Sequence, residues 1–249
     1  LPAEMARRAE YIGERKAEAP TLQMFALAVL AGAFIAFGAV FATTIATGAS
    51  GMLTYGVTKL LVGLGFCLGL ILVVVGGAEL FTGNNLIVMA WASGKVTTKA
   101  LLRNWGVVYI GNFAGSLVTV GLVFMSKQYT SASGGVGATA LSIANAKVEF
   151  GFWQAFALGI LCNILVCLAV WLTFSARSTM DKIAAIIFPI TAFVAAGFEH
   201  SVANMYFIPI GLAIKDFDPV FAASTGLDLS GLTWSAFFIN NLLPVTIGN

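Results

Sequence analysis

The sequence predicts an all-α integral membrane protein: six transmembrane helices forming a 3+3 inverted repeat, with helices two and five interrupted. Three observations predict it. Of 249 residues, 59% are hydrophobic and 10% charged, whereas soluble domains carry about 25% charged residues. Six apolar stretches approach the roughly 20 residues that a helix needs to cross a bilayer core. Two of them are broken by the same pattern, G-x-E-x4-N, at Gly77–Asn84 and Gly197–Asn204.

Residues 1–20 come before the first span. Glu4, Arg7, Arg8, Glu10, Glu14, Arg15, Lys16 and Glu18 alternate in sign around Met5, Tyr11 and Ile12, which predicts an amphipathic helix lying at the interface. A gating role is the other reading of this segment. A single transmembrane domain follows over 21–249. Its spans are predicted at Leu22–Thr47, Leu60–Trp91 (interrupted), Val107–Met125, Phe152–Phe174, Ile183–Ile214 (interrupted) and Leu232–Asn249. The first repeat covers about 22–126 and the second about 150–249, and the last helix is expected to be cut short.

Placing the N-terminus in the cytoplasm puts Arg7, Arg8, Arg15, Lys16, Lys95, Lys99, Arg103, Arg177 and Lys182 on that side. Lys59, Lys127, Lys147 and Lys215 fall opposite. Nine against four is the bias that sets topology. A net charge of +2 excludes nucleic-acid binding by bulk electrostatics.

Duplication is read from three pairs that recur in the same order. Besides G-x-E-x4-N, N-x6-G-N occurs at Asn104–Asn112 and Asn241–Asn249, and Phe25–Leu30 matches Phe156–Leu161. A unit of three spans turns its second copy upside down, and inverted repeats meet at discontinuous helices near the midplane. Mid-membrane Gly, Glu, Thr and Asn are costly unless the backbone there is buried in protein or lines a cavity. Glu79 and Glu199, with Asn84 and Asn204, are expected to cap the broken helix ends.

His200, the only histidine, lies in the second break. With no second histidine a metal site is not expected, nor is any cofactor, and either core packing or a pore role fits it. Thr82, in the first break, is placed to bond to it across the axis. Phe66, Leu70, Leu80 and Phe193 are either helix packing or dry constrictions. Lys147, expected in the loop between spans three and four, is either solvated or a charge that steers anions. Asn163, mid-span, must find partners in the bundle or in the path.

At Gly77–Asn84, Asn104–Asn112, Cys162–Trp171, Gly197–Met205 and Asn241–Asn249 the sequence resembles the formate/nitrite transporter family, from about Leu22 to the last residue. The resemblance implies an aquaporin-like protomer in a homopentamer with one pore per protomer, a small monovalent anion as substrate, and the inner membrane of a bacterium as location. It makes His200 the central pore histidine and Thr82 its partner. Phe66, Leu70, Leu80 and Phe193 become the two constrictions, and Lys147 and Asn163 attract the anion and line the pore. Ser175–Lys182, Met205–Gly211 and Asn241–Asn249 are similar to the formate-channel branch. Leu80–Asn84 is closer to the nitrite branch, and a hydrosulfide-selective member is a further alternative.

Two other classes predict different residues. An intramembrane hydrolase needs a base beside a nucleophile, and one histidine without G-x-S-x-G does not supply it. A neutral-solute pore shares the repeat but needs no midplane histidine. A catalytic residue is therefore not expected.

Overall fold

The computed structural model describes residues 2–49 and 51–249, and among these every regular element is helical. Four helices are long and apolar enough to span a membrane: α2 (Thr21–Ala46), α3 (Tyr55–Gly76), α6 (Thr98–Met125) and α8 (Phe152–Thr173). At 1.5 Å per residue, their 22 to 28 residues each reach at least about 30 Å. α1 (Pro2–Glu18) precedes them. The fifth span is divided into α9 (Thr179–Ala195) and α10 (Ser201–Phe217).

After α3 the chain breaks. It then winds through α4 (Phe81–Asn84), a 3₁₀ turn (Asn85–Ile87) and α5 (Val88–Ala92). The second repeat runs straight into α10 instead. Gly83 and Asn85 stand where α10 has Ala203 and Met205, and Gly and Asn are the weaker helix formers. α11 (Pro219–Ser224) and α12 (Trp234–Ala236) lead into a π turn (Phe237–Leu242) and α13 (Leu243–Gly248). Pro244, where α6 has Val107, lacks the N–H that a regular α-turn would use, and the π turn ends two residues before it.

One helix falls where a loop is expected: α7 (Gly135–Val148) lies between spans three and four and packs on α10. Lys147 is therefore a helical residue. The glycines and small residues of 134–144 hide this helix because they weaken its apolar periodicity while letting it approach α10 closely. At Gly211 of α10 an added Cβ would strike the Ala144 methyl.

Within the first repeat the helices cross tightly. α2 packs on α3 and α6, and a Cβ on Gly32 would collide with the Asn112 backbone oxygen. Only glycine allows that approach.

Candidate functional site

Both breaks are built alike. α3 is followed by Gly77 with φ +73°, and the turn after α9 passes through Gly197 with φ +76°, a backbone that glycine adopts at no steric cost. Ala78 and Phe198 donate their N–H groups to Val73 and Phe193 oxygens at 2.9 and 3.0 Å. Glu79 and Glu199 then donate backbone N–H groups to Leu27 and Leu158 at 3.2 Å each. Leu27 and Leu158 occupy the same place in the Phe25–Leu30 and Phe156–Leu161 pair, so the hydrogen bonds follow the register of the repeat.

The carboxylates do not cap the broken helices as expected. Glu79 accepts from Lys16 Nζ at 2.9 Å and from Asn84 Nδ2 at 2.6 Å. Glu199 accepts from Lys147 Nζ at 2.6 Å and from Asn204 Nδ2 at 2.7 Å. Asn84 and Asn204 also donate to Asn104 and Asn241 Oδ1 at 2.9 and 2.7 Å. Those two amides in turn donate to the Lys16 and Lys147 backbone oxygens at 3.0 and 2.8 Å. A buried carboxylate gains more from an ammonium than from a neutral N–H. Capping falls to other residues: Asn112 Oδ1 accepts from Phe81 N at 2.9 Å, and Asn249 Oδ1 from Ser201 N at 2.8 Å.

His200 and Thr82 meet between the breaks. Thr82 Oγ1 lies 2.9 Å from His200 Nε2, and both residues are buried. His200 Nδ1 accepts from Ala203 N at 2.9 Å. A neutral imidazole carries one ring proton. With Nδ1 engaged as acceptor, that proton is on Nε2, which donates to Thr82 Oγ1. The Thr82 hydroxyl hydrogen is left to donate elsewhere.

Apolar side chains are buried around the pair. Phe193 stacks on the His200 ring at 5.9 Å and meets Phe66 edge-on at 5.7 Å. Leu70 and Leu80 are both buried. They border a cavity of about 240 Å³ on the α1 side, which Arg8, Lys16, Glu79 and Asn84 also line. Asn163 is not brought to the histidine. Its Nδ2 donates to the Asn249 backbone oxygen at 2.6 Å, and one turn further along α8, Cys167 Sγ reaches the Thr82 backbone oxygen at 3.6 Å. Among the described residues no group of three or more His, Cys, Asp or Glu is placed to hold a metal.

Lys16 escapes a reading of residues because its neighbours form a charge run that looks solvated. The signal for it is the repeat: Lys16 stands as far before Phe25 as Lys147 stands before Phe156.

A membrane-spanning duplicated bundle, broken twice beside a lone imidazole, has the build of a channel rather than an enzyme. Comparison with known proteins gives the particular group. The family model described as formate/nitrite transporter matches residues 3–249, and the chain belongs to that family. It is 48% identical over 253 residues to a protein of Escherichia coli K12 named formate channel FocA, with 100% of this chain and 88% of that one covered. It is 43% identical to the formate channel FocA of Haemophilus influenzae, with the same coverage. A solved structure titled "Pentameric formate channel with formate bound" superposes with a TM-score of 0.86 at 50% identity, covering 92% of this chain and 91% of that one.

Proposed function

We propose that this protein passes formate across the cytoplasmic membrane of a bacterium, with its N-terminus inside, as a homopentamer with one pore in each protomer. The bacterial relatives named formate channels support the substrate and location. The pentameric neighbour supports the assembly, and the Lys/Arg bias supports the orientation. The observation that carries the reading is the Thr82–His200 pair between two apolar constrictions.

Formate collects at the α1-side cavity, where Lys16 is tethered to Glu79 and Asn84, and at the α7 side near Lys147. Stripping an anion of water is costly, so Leu70 with Leu80, and Phe66 with Phe193, oppose its passage. Between them the Thr82 hydroxyl donates a hydrogen bond to it, held in that role by His200 Nε2–H. Asn163 lines the path near Asn249. In this arrangement the imidazole supplies polarity, not a proton. Proton coupling needs Nδ1 to give up its bond with Ala203.

A second substrate, nitrite, is favoured by Leu80–Asn84, where Thr82 is followed by Gly83. Uptake of formate, nitrite, hydrosulfide and lactate by liposomes carrying the full chain tests both readings. Formate is expected to enter fastest, and His200→Asn to lower its flux. Swelling in glycerol without formate entry overturns the reading.

A further inference from the structure

α10 is wrapped by α2, α6 and α7, and from Ser201 to Ile214 every residue is buried except Phe207. A helix enclosed in this way leaves a ring uncovered toward an internal space, and the neighbours of the ring locate that space. Phe207 stacks on Phe66 at 6.3 Å with 19° between the planes, and Phe66 meets Phe193 beside His200. On its other side, Lys147 Nζ lies 5.4 Å from the Phe207 centroid. That lysine side chain keeps 16% of its surface exposed. Three rings thus form a continuous series from the α7-side ammonium to the imidazole.

The first repeat supplies a comparison. Three residues beyond Asn84 stands Ile87, which lines the cavity of about 240 Å³; three residues beyond Asn204 stands Phe207. At the corresponding sequence position the α1 side, with its open vestibule, carries the smaller side chain.

We propose that Phe207 is a specificity-determining residue: the outermost ring of the α7-side constriction, which limits the permeating carboxylate to the size of formate. The proposal rests on the reading of the chain as a small-anion pore. The ring holds the Lys147 ammonium against its face, an attraction that also fixes the ring in place. An anion leaving Lys147 therefore enters a slot walled by Phe207, Phe66 and Phe193. Packed rings yield little, so an added methyl group meets a steric limit there.

Uptake of formate, acetate and lactate by liposomes carrying wild type, Phe207→Ile, Phe207→Leu or Phe207→Tyr tests this. Phe207→Ile and Phe207→Leu are expected to raise the acetate-to-formate permeability ratio by about tenfold, the scale on which one methyl group is discriminated by an apolar pocket. Phe207→Tyr keeps the wild-type ratio. A ratio is insensitive to the amount of folded protein, so a purely structural role would not move it. A wild type that carries formate, with an unmoved ratio in both smaller variants, overturns this inference alone. Wild-type vesicles that take up no formate overturn the pore reading and this inference with it.

Discussion

His200 and Leu80 hold the same position in their repeats, one residue after the paired glutamates. Their backbones agree, with φ −115° and ψ 115° at His200 and φ −108° and ψ 125° at Leu80. Thr82 and Val202 correspond in the same way. The hydrogen-bonded pair at the centre therefore has an apolar mate, and the proposed passage has one polar wall. Thr82→Val would make both walls alike. It leaves His200 Nε2–H buried without an acceptor, a loss of about 1–3 kcal/mol, and removes the hydroxyl proposed to face the anion. Formate uptake in liposomes is expected to fall about tenfold, since 1.4 kcal/mol corresponds to that factor, and Thr82→Ser to recover most of it. Wild-type uptake by Thr82→Val would take the hydroxyl out of the path.

Each break is held by an element elsewhere, and the asparagine at the end of N-x6-G-N is the tie. Asn112 on α6 accepts from Phe81 N and donates to the Ala28 and Glu79 oxygens at 2.8 Å each. Asn112→Ala orphans the Phe81 N–H inside the bundle, at a cost of about 1–3 kcal/mol. In thermal unfolding in detergent, each kcal/mol is expected to lower the midpoint by roughly 2–4 °C. An unchanged midpoint would show that the break stands without its tie. The breaks themselves were legible in sequence, because Glu and Asn at mid-membrane admit few explanations and recur in register. Their partners were not. Lys16 sits among charges of both signs, and α7 is made of small residues without a clear apolar stripe. Phe207 looks like any ring in an apolar run, and only the burial of its neighbours sets it apart.

Across the whole molecule, duplication supplies the frame and a few unequal positions supply the chemistry. Lys16, Glu79, Asn84 and Asn104 reproduce the contacts of Lys147, Glu199, Asn204 and Asn241. The frame is thus nearly symmetric, while the pair at its centre is not. If the frame alone positions that pair, the pair is transferable. His200→Leu with Thr82→Val removes it and is expected to lower formate uptake at least as far as Thr82→Val alone. Adding Leu80→His and Val202→Thr rebuilds the pair from the opposite repeat. The new imidazole meets the same backbone geometry at residue 80, where the Gly83 N–H stands as Ala203 N–H does for His200. Recovery of a substantial part of the lost uptake by the fourfold variant, measured in the same liposomes, is the expected result. A fourfold variant that folds, spans the bilayer and stays as inactive as the double variant would show that position 200 depends on something outside the repeat. The surroundings that differ are already identifiable, since His200 lies against Phe193 and Leu80 borders an open cavity.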